Sequence, residues 1–497
     1  MNIKNPIYIL TALLWCMAAP CTLPSCTPSP HDERAISALP PVYPDYIGVT
    51  VPCNIAPLNF MLLDSCRANH TVHSGPTVRA IYTVAEARGF SIKSHRKGNE
   101  AIFDLKDWKR LMDHAQGATV TVTVSALTET GWIKYRPFNI NVSKDKIDPY
   151  LTCRLIEPDY EVFSRLSIME RNIEDFSERV LCDYNNAGNR CMNCHTHSPS
   201  DGELSFLYVR GEGGGMVLND HGKLRLLDFK TSDMVSGPVY AQFDPSGRYL
   251  TFSTNVIIPA FHSRPGKRLE VFDTKSDVYV YDLRDDKVLR SPLLADSTRL
   301  ETFPTFGADG KSIYYCVAGM PARPTAVDSV SYSLCRIGFD PAKGTFASTV
   351  DTVVAGIRRK LSVSHPRVSP DGKHLLYTAA AYGTFPIWHR ESDLQMIDLT
   401  NGKIDTLDIV NSPMSDTYHS WSSSGRWFVF ASKRDDGLYG KPYFAHVSAD
   451  GKVSKPFLLP QKSPSFYDDN LKSFNVPDLG KRPVSFSPAD VATALHK

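Results

Sequence analysis

The C-terminal part of the chain alternates apolar and polar positions in a pattern that repeats. A strand, a tight turn and a second strand occur in four segments, which are Pro238–Ser253, Phe303–Tyr315, His365–Tyr377 and Tyr418–Phe430. The glycines in these turns are Gly247, Gly310, Gly372 and Gly425. Glycine adopts the positive φ that such hairpin turns need. The pattern therefore predicts antiparallel hairpins at regular intervals.

A second kind of hairpin lies between these segments. Its first strands are Asp277–Asp282, Leu394–Asp398 and Tyr443–Val447, each followed by a polar turn. Four strands in a unit of roughly fifty residues are typical of a β-propeller blade, and blades bury their faces by stacking. A weaker unit spans Glu203–Phe229, and a strand from the tail is available for closure. Residues 203–497 are thus predicted to form a propeller of five or six blades.

Two short motifs in the repeats, Ser369–Lys373 (S-P-D-G-K) and Ser432–Gly437 (S-K-R-D-D-G), resemble those of TolB-type propellers. The resemblance covers roughly residues 238–459 and implies a fold rather than a chemistry. Polar residues expected where blade loops line the channel are His365, Arg367, His419, Arg434, Asp435 and Asp436. Of these, the two histidines are expected at the same repeat position, whereas the Arg434 and aspartate pairs are typical of turn stabilisation.

The preceding part of the chain is predicted to be mainly β as well. Residues 46–142 contain strand patterns at Tyr46–Val51, Val78–Val84, Thr119–Ser125 and Trp132–Ile140. A helical pattern occurs at Leu105–His114. The segment predicts a small β-sandwich, with an immunoglobulin-like fold as one form of it.

Residues 143–202 are predicted to be a helical linker between these two β domains. Apolar residues recur at spacings of three or four, at Val162, Leu166, Met169, Ile173, Phe176 and Val180. This spacing predicts one apolar helix face. A turn at Asn185–Asn189 ends the predicted helix.

The linker ends in the motif C-x-x-C-H, formed by Cys191, Cys194 and His195. This is the attachment signature of a c-type haem. Two thiols at this spacing form thioether bonds with the two vinyl groups of one haem, and the histidine binds the iron as the proximal ligand. Zinc binding or thiol redox chemistry also uses C-x-x-C, so the context must decide.

The N-terminus has the pattern of an export signal, which favours haem. Lys4 precedes a short apolar run, Ile7–Leu14. Leu23–Cys26 resembles a bacterial lipobox, so residues 1–26 are predicted to be a signal peptide with Cys26 as the lipidated residue. Cleavage without lipid near Ala18 is the alternative. Proline-rich residues 27–45 are then a tether, and the protein is expected in the periplasm or at the outer membrane of a bacterium, anchored only by lipid.

The sixth iron ligand stays open in the sequence. Met216 follows a glycine-rich loop and is the preferred candidate, while His221, His262 and an open position are alternatives. Beyond the signal region and the haem motif, six of the eleven cysteines remain: Cys53, Cys66, Cys153, Cys182, Cys316 and Cys335. An oxidising compartment permits disulfides, with Cys316 and Cys335 as plausible partners, but buried reduced cysteines fit equally well.

The sequence therefore favours an exported c-type cytochrome that transfers single electrons, with a redox protein as partner and the propeller as docking or ligand-binding surface. A haem-dependent oxidoreductase or peroxidase is the first alternative. The second is a binding scaffold whose C-x-x-C holds zinc or a disulfide. A net charge of +2 argues against nucleic acid as a partner, and electron transfer is favoured over hydrolysis because no catalytic triad is visible in the repeats.

Overall fold

A computed structural model describes residues 29–63, 77–157, 165–199, 202–261, 269–323 and 326–496. The predicted signal peptide with Cys26, as well as Cys66 and His262, lie outside these ranges. None of the helices in the described ranges combines the length and apolar character that a bilayer crossing requires.

The N-terminal part contains two sheets and one helix. Its strands are β1 Arg34–Ala35, β2 Val42–Tyr43, β3 Thr50–Pro52, β4 Phe60–Leu62, β5 Ala80–Ala87, β6 Phe90–Lys93, β7 His95–Lys97, β8 Glu100–Ile102, β9 Ala118–Thr128, β10 Gly131–Lys134 and β11 Phe138–Ser143. In the seven-stranded sheet, β9 pairs with β5 along one edge and with β10 and β11 along the other. The four-stranded sheet has the order β2-β4-β8-β7. Helix α1, Leu105–Ala115, confirms the predicted helix. Its buried Trp108 donates from Nε1 to the Ile55 carbonyl at 3.0 Å, which joins helix and sheets in one core.

The rest of the chain folds into four-stranded antiparallel units. The first three strands are β12 Tyr150–Ile156, β13 Ser167–Asn172 and β14 Glu178–Asp183. The next unit contains β15 Met192–His197, β16 Leu204–Val209, β17 Gly215–Asp220 and β18 Lys223–Leu227. The following two contain β19 Pro238–Phe243, β20 Tyr249–Phe261, β21 Leu269–Asp282, β22 Lys287–Leu289, β23 Arg299–Phe306, β24 Ser312–Gly319, β25 Ser333–Asp340 and β26 Thr345–Val354. One parallel pairing, between β21 and β23, joins these two units into an eight-stranded sheet. The last two contain β27 Ser362–Val368, β28 His374–Ala380, β29 Asp393–Asp398, β30 Ile404–Asp405, β31 Asp416–Trp421, β32 Trp427–Ser432, β33 Lys441–His446 and β34 Phe457–Leu458.

The C-terminal strand completes the first unit. Strand β35, Ser473–Gly480, pairs antiparallel with β12, which gives the order β14-β13-β12-β35. Short helices α2 Gly356–Arg359 and α3 Phe466–Asp469 lie in connections, and α4 Pro488–Leu495 packs on β14 and β18. The innermost strands β35, β15, β19, β23, β27 and β31 contact one another in succession, and β31 contacts β35 again. The described part of this region is therefore a closed, β-rich, propeller-like arrangement of four-stranded units.

The predicted hairpins are confirmed. All four hairpin segments fall on paired strands, and their turn glycines have φ between 65° and 73°. The weaker unit at Glu203–Phe229 is also confirmed, since it provides β16, β17 and β18.

The helix predicted for the linker is wrong, because its described part folds as β13 and β14. Strand β13 is buried on both faces, with Ile168, Met169 and Glu170 all inaccessible. A strand that is covered on both sides does not alternate, so its apolar residues are easily mistaken for a helical face. The described residues between Tyr150 and His197 consequently contribute strands to the four-stranded units instead of a helical insert.

The disulfide between Cys316 and Cys335 is absent as well. Both residues are buried free cysteines on neighbouring strands, but the register pairs Cys316 with Leu334 and Cys335 with Tyr315. A one-residue offset places their side chains on opposite faces of the sheet, where each packs in a different apolar cluster. They act as small apolar residues, as do Cys53, Cys153 and Cys182.

Closure by β35 yields a testable expectation. Leu479 is 5% exposed, so Leu479→Ala should lower the free energy of unfolding by about 2–5 kcal/mol. Leu471, just before β35, is 64% exposed, and Leu471→Ala should change the free energy of unfolding by about 0.5 kcal/mol at most. Urea unfolding of both variants measures the difference, and equal effects would contradict the assigned pairing of β35.

Candidate functional site

Each innermost strand carries an irregularity at the same place. The pairing register shifts near the middle of β19, β23, β27, β31 and β35, and one residue of each takes a positive φ of 46–53°. These residues are Tyr240, Phe303, His365, Tyr418 and Val476. Such an irregularity is a β-bulge, which redirects side chains away from the regular ladder.

The C-x-x-C-H motif occupies the corresponding bulge of β15. Here the register shifts between Met192 and His195, so the bulge falls on residues 193 and 194. The motif thus takes a position in the repeat that other units fill with aromatic and polar residues. The same comparison corrects one prediction, because the counterpart of His365 is Tyr418 rather than His419.

Bulge residues from different units meet at the centre. The His365 ring lies 4.0 Å from the Phe303 ring, 4.9 Å from the Tyr418 ring and 6.0 Å from the Tyr240 ring, measured between centroids. These four residues come from four successive units, β19 to β31. Their rings form an aromatic cluster that packs the units together.

A cavity of about 560 Å³ lies beside this cluster, within the ~300–1,000 Å³ range of small-molecule and cofactor pockets. Its walls are mainly apolar. The apolar and aromatic lining residues are Ile156, Tyr240, Ala241, Ile257, Pro259, Leu269, Val271, Phe385, Ile387, Trp388, Tyr418 and Val476. Cys194, His195 and His365 also line it.

His195 is buried in the cavity wall with one ring nitrogen engaged. Its Nε2 lies 3.3 Å from the Thr152 carbonyl, to which it donates, while Nδ1 has no hydrogen-bond partner. Burial lowers the pKa of His195 to about 4, so the imidazole is neutral at pH 7. Metal-binding histidines commonly donate their other N–H to a backbone carbonyl in this way. The neutral ring therefore has one nitrogen that no protein group engages, as a metal ligand requires.

The closing unit holds the motif in place. Thr152 of β12 also bonds His197 through its hydroxyl, with 2.8 Å between Oγ1 and Nε2. Asp478 of β35 accepts hydrogen bonds from the Thr196 hydroxyl at 2.9 Å and from the His197 backbone N–H at 2.8 Å. Strand β15 is thus fixed against the strand pair that closes the ring.

The two cysteines of the motif differ in their surroundings. Cys194 lines the cavity, and the Tyr240 backbone N–H lies 3.5 Å from its sulfur. Burial raises the pKa of the Cys194 thiol. Cys191 does not line the cavity but packs with Leu207 and Val209, on the opposite face of β16 from the Cys194 neighbours. The cavity therefore fits a haem at His195 and Cys194, whereas Cys191 points elsewhere.

The cavity wall is also basic. Arg154, Arg210, Arg367 and Lys433 contribute to it, against a single lining carboxylate, Glu157. Burial lowers the pKa of Arg367 to about 10, which leaves it charged at pH 7. The sequence does not predict Arg154, Arg210 and Lys433 as site residues, because they belong to three different units that only the fold brings together. An apolar cavity with this charge suits an amphipathic anion.

Other predicted site residues lie away from the cavity. Met216 is fully buried on β17 and lines a second cavity with Tyr208 and Phe229. His221 is exposed at the turn after β17 and pairs with Asp220 at 2.8 Å. His262 lies outside the described residues. The structure therefore does not bring Met216 or His221 to the cavity that His195 lines.

Only some of the polar residues expected at the channel line the cavity. His365 and Arg367 line the cavity. Arg434 instead pairs with Asp416 at 3.0 Å and stacks on Tyr443, in keeping with turn and blade stabilisation. The His419 ring binds the Leu376 carbonyl at 3.0 Å. Asp435 accepts hydrogen bonds from the hydroxyls of two tyrosines, Tyr43 and Tyr443, and from Lys441, and Asp436 bonds the backbone N–H groups of residues 438 and 439.

An ion pair connects two walls of the cavity. Glu270 lies on β21 between the lining residues Leu269 and Val271, and His389 follows the lining residue Trp388. The His389 ring lies 3.2 Å from Glu270 through Nε2 and 3.1 Å from Glu391 through Nδ1. Burial opposes the charged ring, but the hydrogen bonds to both glutamates outweigh it and raise the pKa of His389. This pair fixes the long β20–β21 hairpin against the loop that carries Trp388.

Comparisons with known proteins leave the function open. No family model matches the sequence, and no curated protein matches it. Within the described residues, no group of three or more His, Cys, Asp or Glu side chains is placed to hold a metal ion.

Solved structures give distant similarities. An oligogalacturonate lyase in complex with manganese is 12% identical with a TM-score of 0.35, over 63% of this chain and 73% of the lyase. A puromycin-hydrolysing peptidase of Mycobacterium tuberculosis is 12% identical with a TM-score of 0.38, over 84% of this chain and 57% of the peptidase. A DUF4784 family protein from Bacteroides caccae is 8% identical with a TM-score of 0.31, over 75% of this chain and 96% of that protein. Similarity at this level carries no activity to this chain.

The His389 ion pair predicts a pH dependence. Because the folded-state pKa is raised above the ordinary value of about 6.5, its stabilisation is complete below that pH and is lost as the pH rises through the folded pKa. The difference in free energy of unfolding between the native protein and His389→Gln should shrink accordingly. Urea titrations from acid to alkaline pH measure it. The exposed His221→Gln serves as control, and an equal pH trend in both variants would contradict the assignment.

Proposed function

We propose that the protein is an exported c-type cytochrome whose haem occupies the cavity described above. The observation that carries the proposal is the place of C-x-x-C-H in the fold, because Cys194 and His195 both line one apolar cavity of about 560 Å³. A haem supplies one-electron transfer when it is bound. We also propose that the four-stranded units form a six-bladed TolB-like propeller that holds its cofactor near the axis.

The residues of the cavity have separate tasks in this proposal. His195 would supply an imidazole nitrogen to the iron, and the Thr152 carbonyl would hold the ring. The apolar walls would surround the haem and exclude water. The basic residues Arg154, Arg210 and Arg367 are suited to the carboxylates of the haem, since guanidinium groups bind carboxylates well.

The two cysteines of the motif differ in their access to a haem in this cavity. Cys194 lies at the cavity and is suited to a thioether there. A second thioether at Cys191 requires this side chain to leave its apolar cluster with Leu207 and Val209. The residues just before β15 would have to rearrange for that bond.

The test is expression in a bacterial host that exports the chain and matures c-type cytochromes. The native protein should show a c-type reduced spectrum, and its haem should resist acid–acetone extraction because it is covalently bound. The double variant Cys191→Ala, Cys194→Ala should abolish the resistant haem, because no thiol then remains in the motif. Cys335→Ala, at an equally buried cysteine outside the motif, should retain it.

Two results would contradict the proposal. One is a colourless native protein from that host. The other is a native protein whose haem is fully extracted, since this would indicate non-covalent binding of haem and no role for the thiols. Metal analysis of the same sample identifies zinc, which is the expectation of the binding-scaffold alternative.

A further inference from the structure

The ring of innermost strands places one more imidazole in the cavity. His195 lies on β15 and His365 on β27, and the order of strands around the ring is β35, β15, β19, β23, β27, β31. Strands β15 and β27 are separated by two strands in either direction. The two histidines therefore enter the central cavity from opposite sides of the ring, and both line it.

His365 shares one feature with His195, a buried Nδ1 that no protein group engages. It is 5% exposed, and its Nδ1 has no hydrogen-bond partner. A buried ring nitrogen without a partner is costly and calls for an explanation. The bulge, with φ of 51°, turns the ring inward against Phe303 and Tyr418, so the aromatic cluster fixes its position.

The other described candidates do not line this cavity. His197 bonds Thr152, His419 bonds the Leu376 carbonyl, and His221 is exposed at a turn. Met216, the residue that the sequence favours, lines a different cavity. Among the described histidines and methionines, His195 and His365 are the ones that line this cavity.

We infer that His365 is the second protein ligand of the haem iron, so that a bound haem would have two histidine ligands. The inference rests on the proposed function. It names the ligand that the motif leaves open, and it implies a lower reduction potential than a histidine–methionine pair would give.

Two substitutions at His365 separate ligation from packing. His365→Asn keeps a residue that tolerates positive φ but removes the imidazole. If His365 binds the iron, the low-spin spectrum of the native protein should become high-spin in this variant, and added imidazole should restore it. His365→Met should keep a low-spin iron and raise the reduction potential. Met216→Leu and His221→Ala are controls that should leave spectrum and potential unchanged.

The outcomes distinguish the assignment of His365 as ligand from the proposed covalent binding of haem. Covalent haem in His365→Asn with an unchanged low-spin spectrum would overturn His365 as ligand and leave the cytochrome intact. A spectral change in Met216→Leu instead would assign the ligand to Met216. A native protein without covalent haem overturns the proposed function, and the assignment of His365 with it.

Discussion

The central cavity depends on one antiparallel pairing, between β35 at the C-terminus and β12 some three hundred residues earlier. This pairing closes the ring of innermost strands. It also brings Asp478 and Thr152 to the strand that carries C-x-x-C-H, where they hold Thr196, His197 and His195. Closure of the fold and orientation of the motif therefore depend on the same two strands, β12 and β35.

The second constraint is the bulge that every innermost strand shares. A regular ladder would direct alternate side chains into the spaces between units. The bulge turns one residue of each unit towards the axis, and in most units that residue is an aromatic or His365. Where the repeat instead places C-x-x-C-H, the aromatic cluster is interrupted and a cavity with basic and apolar walls lies beside it. The bulges of the innermost strands thus produce both the aromatic packing at the axis and the cavity beside it.

Local patterns were reliable where the environment of a strand is simple. The hairpins around Gly247, Gly310, Gly372 and Gly425 alternate and turn at glycines, so both strands and turns were predicted correctly. The sequence predicts a helix at β13 because both faces of this strand are buried and its apolar residues do not alternate. The Cys316–Cys335 disulfide failed for a related reason, since a one-residue register offset is invisible until the strands are paired.

The sequence by itself determined the repeating β architecture and the chemistry of the motif, because turn glycines, alternation and the Cys–Cys–His spacing are local properties. Only the tertiary structure decided what surrounds that motif. Arg154, Arg210, His365 and Lys433 lie far apart in the chain and meet at one cavity because ring closure brings different units to a common axis. Met216, which is near the motif in sequence, lines a separate cavity because the pleat of β17 directs it there. Proximity along the chain therefore does not predict the neighbours of the motif, because ring closure sets them.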